Sequence, residues 1–340
     1  MDVTIDAVDW DDADAATLRD AQQAELADRY GGDDPDPADD PDDDHPADVV
    51  HADQVTAMLV LRVDGEPAAC GALRDVSATQ GPGVGEIKRM YVHPRWRGLG
   101  LSRRVLAELE ARATAAGWHR LVLETGVRQP ESLGLYLTAG YLPIEGFGVW
   151  AGSPMSRCFA KELVPVPRAP VRRSAHRPAV HCADVGWDHP DATRLRRAMW
   201  DELAERYVEE TAAAEEVGGF PHFDARTGRD VRVFVVATVD GVPAGCGGLR
   251  PSGLDEGTAE VKKVYVDRAF RGSGIARSVM ADLEERARAH GWRRLVLETG
   301  VRNPEAAALY ASIGYRPIEP YGRYVGDAIS LCFAKDLPTG

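Results

Sequence analysis

The sequence is poor in cysteine, in aromatic residues and in positive charge, and it has no long apolar run. Five cysteines occur in 340 residues, and no C-x-x-C pair is among them. That count and spacing speak against a secreted-type disulfide framework and against a cysteine zinc site. Lys and Arg number 40 against 54 Asp and Glu, a formal net charge of −14. A net-acidic chain argues against a general nucleic-acid partner and against an anionic membrane surface. The nine histidines show no ligand spacing, so no metal is expected. No stretch nears the ~18 consecutive apolar residues of a membrane span. The opening "MDVTIDAVDWDDADAA" is acidic and lacks the apolar segment of a secretory signal, so the expected location is cytoplasmic.

What the chain does have, it has twice. "GWHRLVLETGVRQPESLGLY" (Gly117 to Tyr136) answers to "GWRRLVLETGVRNPEAAALY" (Gly291 to Tyr310). "GEIKRMYV" answers to "AEVKKVYV", "DGEPAACGALR" to "DGVPAGCGGLR", and "FAKEL" to "FAKDL". Most pairs lie 174 residues apart and the early ones 176 or 177, so the small length changes fall in loops. A period this long means two whole domains rather than a solenoid. The halves are expected at 1–163 and 179–340. Between them "VPVPRAPVRRSAHRP", residues 164–178, is rich in Pro and Arg and reads as a stiff linker.

Each half gives the same order of elements. A helix comes first, with apolar positions such as Leu195, Ala198, Met199, Leu203 and Tyr207 at helical spacing. A loop that differs between the halves follows, and in the first half it is the acidic run within residues 31–48. Then come a hairpin over a "DG" turn and a further strand, "EIKRMYV" or "EVKKVYV". A glycine turn leads into a helix predicted over Ser102 to Ala116, or Ala276 to His290. Gly117 and Gly291 stand where a helix-ending glycine belongs. "RLVLET" reads as a strand, and the next helix starts near Pro130 or Pro304. Two short strands close each half. The fold class is α+β, with mixed, mostly antiparallel sheets flanked by helices on both faces.

The glycine turns are "RGLGLSR" (Arg97 to Arg103) and "RGSGIAR" (Arg271 to Arg277). A strand that runs into such a turn and then a helix can make an anion site. The glycines let backbone N–H groups approach a ligand, and the helix N-terminus adds partial positive charge. Nearby arginines add full charges for phosphates. One isolated turn of this kind is as often a plain tight turn. The third glycine and the ribose-binding acid of a dinucleotide site are not evident.

The whole ordered set is more specific. "E-[IV]-K-[RK]-[MV]-Y-V", a short link, "RGxGxx" with its helix, "LVLETG" and "[QN]PExxxLYxxxGY" together resemble the GCN5-related N-acetyltransferase family across nearly all of both halves. The second half fits the signature in full with Arg271, Gly274 and Ala276. The first has Arg97 and Gly100 but Ser102 at the last position. Asn303 matches an asparagine common in the family, where the first half has Gln129. The resemblance implies acetyl-CoA, or another short acyl-CoA, as cofactor. Its pyrophosphate would sit on Gly98, Leu99, Gly100, Leu101, Ser102 and Arg103, or on Gly272, Ser273, Gly274, Ile275, Ala276 and Arg277. Its pantetheine arm would pair with the backbone of Met90, Tyr91 and Val92, or of Val264, Tyr265 and Val266. An N–H there would polarise the thioester carbonyl.

Acetyl transfer to an amine needs a base, because an alkyl ammonium with pKa ~10 has no lone pair at neutral pH. The resemblance puts Glu86 and Glu260 in that role, against the plainer reading of solvated strand-end carboxylates. It puts Tyr136 and Tyr310 in the role of general acid, against buried aromatics packing on the sheet. Glu124 and Glu298 read as turn caps or acceptor contacts. No cysteine is marked as a nucleophile, so direct transfer is expected. The acidic loop suggests a small, cationic primary amine as acceptor, and the second half reads as the firmer catalytic unit. The alternatives are a non-catalytic acyl-CoA-binding or scaffold module and a protein or peptide N-acetyltransferase. The chain is expected to be a monomer with an internal pseudo-dimer, or a homodimer.

Overall fold

The computed structural model of the chain describes residues 1–31, 50, 52–163 and 179–338. The predicted linker and all but the first residue of the acidic loop therefore lie outside the described residues. Contacts divide the chain into two units, one centred on Met1–Pro167, the other on Arg168–Arg302 with Leu309–Val325 and Ser330–Gly340.

The first half runs β1 (Val3–Val8), α1 (Ala13–Tyr30), β2 (Val55–Val63), β3 (Glu66–Asp75), α2 (Ser77–Gln80), β4 (Val84–Val92), α3 (Leu101–Ala115), β5 (Arg120–Gly126), α4 (Pro130–Thr138), β6 (Leu142–Ile144) and β7 (Ser156–Glu162). The second runs β8 (Val180–Asp184), α5 (Pro190–Arg206), α6 (Val208–Glu216), α7 (Gly219–Gly228), β9 (Val233–Val239), β10 (Val242–Pro251), β11 (Thr258–Val266), α8 (Ile275–Ala289), β12 (Arg294–Gly300), α9 (Pro304–Ser312), β13 (Arg316–Ile318) and β14 (Ser330–Asp336).

Each half carries one seven-stranded sheet, ordered β1-β2-β3-β4-β5-β7-β6 and β8-β9-β10-β11-β12-β14-β13. Only β4–β5 and β11–β12 pair in parallel, and every other neighbour is antiparallel. The parallel pair is where a helix crosses over, which is the connection that parallel strands require. α1 lies on one face, with Ala15 and Leu18 packed on Met58, Val60, Cys70 and Ala72. α5 repeats this with Ala192 and Leu195 on Phe234, Val236 and Cys246. α3 buries Leu101, Val105, Leu106, Leu109 and Ala113, and α8 buries the matching stripe. Stripes at this spacing make the inner face of an amphipathic helix.

Two departures from the sequence reading stand out. A strand precedes the first helix in each half, β1 and β8. It is an edge strand with alternate residues half-exposed, which leaves little apolar periodicity to read. The second half's variable loop contains two helices, α6 and α7. α6 has no buried residue, so no apolar stripe announces it.

The strand that leads to the glycine turn carries a bulge in both halves. Cys70 faces Tyr91 but Ala72 faces Lys88, so β4 holds one residue more than β3 over that stretch. The extra residue is Arg89, at φ 55°, and its twin is Lys263, at φ 57°. Non-glycine residues seldom adopt this left-handed backbone, at a cost of about 1–3 kcal/mol.

Candidate active site

The site begins where two parallel strands part. β4 pairs with β5 only from Val84 to Ile87, and β11 pairs with β12 only from Thr258 to Glu260. Beyond those points β4 keeps β3 as its neighbour on one side. On the other, the carbonyl of Met90 accepts from Gln22 Nε2 at 3.1 Å and that of Val92 from Arg97 Nε at 3.0 Å. In the second half Arg271 Nε donates to the Val266 carbonyl at 3.1 Å. Met90, Tyr91 and Val92, with Val264, Tyr265 and Val266, thus end two strands whose outer edge is served by side chains. Tyr91 and Tyr265 pack with the α1 and α5 clusters.

The turn follows. Gly98 and Gly100 have φ of 81° and 74°, Gly272 and Gly274 of 78° and 89°. A Cβ at Gly98 or Gly100 would meet nothing within 4 Å. Those glycines are thus required by backbone conformation, and the space over them is open. Gly100 and Gly274 also occupy the N-cap positions of α3 and α8, with no side-chain cap. The first-turn N–H groups of a helix without such a cap are left for a ligand or water. Leu101 and Ile275 point into the core, whereas Leu99 is exposed. Ser102 and Ala276, the signature position at which the halves differ, are both half-buried in the first turn of their helices. Ser273 donates to the carbonyl of Phe270 within the turn. Arg103 reaches Thr138 Oγ1 and Arg277 reaches Ser312 Oγ, both at 2.7 Å.

Arg97 and Arg271, the signature arginines, are held by carboxylates that the sequence reading missed. Arg97 Nη2 meets Glu25 Oε2 and Arg271 Nη2 meets Glu202 Oε2, both at 2.5 Å. Arg268 adds a 3.2 Å contact to Glu202. Burial disfavours the charged form of Glu202, but hydrogen bonds from Arg271 and Arg268 outweigh it and hold the carboxyl below its usual range. Glu25 behaves likewise, with Arg97 and Arg29 as its donors. The signal was present in the duplicated "AELADRY" and "DELAERY", which place Glu25 and Glu202 alike on the first helix.

In the first half these parts line one cavity of about 240 Å³. Its walls include Met90, Val92, Gly98, Gly100, Ser102 and Tyr136. Gln129 lines it too, and its Nε2 lies 3.4 Å from Tyr30 Oη. The counterpart Asn303 precedes α9, its carbonyl accepting from Ala306 and Ala307. Tyr136 and Tyr310 are 4% and 6% exposed, and neither phenol has a hydrogen-bond partner among the described residues. Tyr136 packs on Tyr141 and Phe159, and Tyr310 on Tyr315 and Phe333. Burial pushes both phenols above their usual range, and the charges of Glu124 and Glu298 add to this. Both stay protonated at neutral pH, as a proton donor must.

Glu86 and Glu260 do not line that cleft. They sit on the paired part of the strand and are buried at 0% and 2% exposure. Each faces an arginine directly across the hairpin. Arg74 Nε meets Glu86 Oε2 at 2.5 Å, and Arg250 Nε meets Glu260 Oε2 at 2.7 Å. Lys88 and Lys262, two residues on, stand 3.5 Å from the other oxygen. They are buried ion pairs rather than solvated strand ends. Glu298 accepts from Ser330 Oγ at 3.0 Å, across the β12–β14 pair. Among the described residues no cluster of His, Cys, Asp and Glu could hold a metal, and no helix is long and apolar enough to cross a membrane.

Each half thus has two parted strands, one of which leads into a glycine turn on an uncapped helix, and the arrangement is written twice. The model of the acetyltransferase (GNAT) family matches residues 19–141 and again 196–315. The chain belongs to that family; it is an acyltransferase, and the family's cofactor is acetyl-CoA. Among curated relatives, the IAA acetyltransferase of Azospirillum brasilense is 41% identical over 106 residues, 31% of this chain and 67% of that protein. Human N-acetylaspartate synthetase is 34% identical over 104 residues, 31% of this chain and 34% of that protein. The chain thus spans from about two thirds down to one third of the length of these relatives. Among solved structures, the PaiA N-acetyltransferase of Thermoplasma acidophilum in complex with coenzyme A is 15% identical. It matches with a TM-score of 0.34 over 46% of this chain and 99% of its own. The IAA acetyltransferase of Bacillus cereus is 18% identical, with a TM-score of 0.35 over 47% of this chain and 100% of its own.

The residues present fit such a cofactor. The open space over Gly98 and Gly100, the uncapped N-terminus of α3 and the cavity beside β4 suit a pyrophosphate followed by an extended arm.

Proposed function

We propose that the chain moves an acetyl group from acetyl-CoA, or another short acyl-CoA, directly to a primary amine of a small molecule. The cofactor supplies an activated thioester and a thiol leaving group. The chain's own residues do the rest. Backbone N–H groups of residues 98–103 and 272–277 bind the anionic end. Arg103 and Arg277 stand at the exposed rim of that turn and screen its charge. Tyr136, which lines the cleft, and its counterpart Tyr310, both protonated and without a hydrogen-bond partner among the described residues, donate a proton. A buried carboxylate on the strand before the glycine turn, Glu86 on β4 or Glu260 on β11, accepts one from the acceptor.

The observation that carries this reading is the first-half cavity, which the turn, the parted strand and Tyr136 line together. The second half has the same turn, the same parted strands and the same buried tyrosine, which supports cofactor binding there too. The cationic character of the acceptor rests on the net charge of −14 and the acidic run, which lies outside the described residues. The test is a calorimetric titration of the full chain with CoA, followed by release of free thiol from acetyl-CoA with a panel of amines. Binding at micromolar level and thiol release with at least one amine are expected. Absence of CoA binding would sink the reading.

A further inference from the structure

The two buried glutamates are not equivalent. Glu260 Oε1 accepts two phenol hydrogen bonds, from Tyr324 Oη at 2.8 Å and Tyr321 Oη at 3.2 Å. The matching positions in the first half, 174 residues earlier, are Phe147 and Trp150. Neither carries a hydroxyl. Glu86 Oε1 accordingly accepts no hydrogen bond among the described residues, although it is fully buried. Lys88 Nζ, at 3.5 Å, offers this oxygen charge without a hydrogen bond; a buried carboxylate oxygen left so is costly and rare, and points to a water or ligand that fills the position.

The backbone makes the comparison direct. Phe147 has φ −120° and ψ 156°, and Tyr321 has φ −123° and ψ 156°. Each is followed by a three-residue helical turn, Gly148–Trp150 or Gly322–Tyr324. The difference between the halves is therefore in the side chains and not in the frame. Four further groups around the two carboxylates match, and one, Arg323, has Val149 in its place in the first half. Arg74 on β3, Lys88 on β4, Glu124 on β5 and Cys158 on β7 face Glu86. Arg250, Lys262, Glu298 and Cys332 stand in the same places around Glu260, with Arg323 and the two tyrosines in addition.

We propose that Glu86 Oε1 is the open proton-accepting position of the chain, kept open by Phe147 and Trp150. Tyr321 and Tyr324 close the same position at Glu260. The proposal rests on the acetyl-transfer reading above. It also reverses the order that the signature residues give, since the less regular first half becomes the one that deprotonates the acceptor. The acceptor ammonium gives one proton to Glu86 Oε1 through water, because the carboxylate is buried and does not itself line the cleft. A C–N bond replaces the C–S bond, and the sulfur leaves with the Tyr136 proton. The second nitrogen proton restores the Tyr136 phenol, and the Glu86 proton passes to water. In the second half the closed carboxylate anchors Arg250, Lys262 and the tyrosine pair. There Tyr321 and Tyr324 are positioning residues.

The experiment exchanges the aromatic pairs in the full chain and follows thiol release with an amine that the wild type uses. Phe147→Tyr with Trp150→Tyr is expected to lower kcat at least tenfold, with KM for acetyl-CoA within twofold. Glu86→Gln is expected to lower kcat about a hundredfold or more, the usual worth of a general base. Adding Tyr321→Phe and Tyr324→Trp to that variant is expected to raise its rate at least tenfold by opening Glu260. Such a gain cannot come from damage to the fold. If the first exchange leaves kcat within twofold, or the second gives no gain, the proposal is overturned while the acetyl-transfer reading stands. A wild type that binds no CoA, or releases no thiol with any amine, overturns both.

Discussion

Removal of the two phenol hydroxyls, by Tyr136→Phe and Tyr310→Phe, gives the sharpest test of the cleft. Each ring is buried, and its hydroxyl has no partner among the described residues to strand. The substitution leaves the packing on Tyr141 and Phe159, or on Tyr315 and Phe333, in place. A change that orphans no buried group costs under about 1 kcal/mol, so the melting temperature is expected to hold. The rate is not. A positioned proton donor contributes about 10²–10⁴-fold, or roughly 2.7–5.4 kcal/mol at about 1.36 kcal/mol per decade. The double variant is therefore expected to lose at least a hundredfold in kcat, with CoA affinity within twofold. The single variants divide the wild-type rate between the halves, and Tyr136→Phe is expected to remove the larger share. The assay is thiol release read with a disulfide reagent. Of the chain's own five thiols, burial pushes Cys70, Cys158 and Cys246 up to about 12 and Cys182 to about 11, and Cys332 is buried, so a blank without amine accounts for them. A folded double variant that keeps more than half of the wild-type kcat would refute the donor role.

Three other outcomes follow from the geometry. A Cβ on Gly126 would lie 1.7 Å from Tyr30 Oη, and one on Gly300 would lie 1.9 Å from Tyr207 Oη. Tyr207 Oη accepts from the Arg302 amide at 3.1 Å, so Gly300→Ala must push it off that bond. Overpacking of this kind costs about 1–3 kcal/mol, and thermal melts should show a drop of several degrees; an unchanged melt would contradict the close approach. Glu25, Glu202 and Glu260 are all held below the usual carboxylate range. A depressed carboxyl stabilises fully above its unfolded value of about 4.3 and loses that stabilisation as pH falls through the folded value. Melting temperatures should thus stay level from pH 7 to about 5 and fall below about pH 4; a rise on acidification would contradict the ion pairs. Finally, Arg103→Ala with Arg277→Ala removes one charge from the rim of each turn. One charge-assisted contact is worth about 1.5–3 kcal/mol, so calorimetry should show CoA affinity about ten- to a hundredfold weaker, and unchanged affinity would move the phosphates elsewhere.

The glycine turns, the helices after them and the tyrosine at the end of "LY" were legible because they are local. Gly98, Gly100 and Leu101 encode a turn, a cap and the first core residue within four positions. Duplication then gave two copies of each signal to compare. The carboxylates were legible as residues but not in their surroundings. Glu86 and Arg74 become partners only through the register of the β3–β4 hairpin, and Glu25 meets Arg97 only once α1 is laid on the sheet. The exchange of Phe147 and Trp150 for Tyr321 and Tyr324 was in plain view. Its meaning needed the position of one carboxylate oxygen. Short elements without a buried stripe, such as α6, could not be read from periodicity at all.

The bulge at Arg89 and Lys263 works on the strand as a frameshift works on a message. Upstream of it, even-numbered residues such as Glu86 and Lys88 share a face with Arg74; downstream, odd-numbered Tyr91 does. Even-numbered Met90 is turned to α3 instead, its Sδ against the position of Gly71 and beside Val105. Excision of Arg89 alone would restore the frame and trade Met90 and Tyr91 between the two layers. The end of the strand proposed to take up a proton and the end proposed to hold the cofactor are thus read in separate frames. Side chains in one can vary without re-phasing the other, as long as the single inserted residue between them is kept.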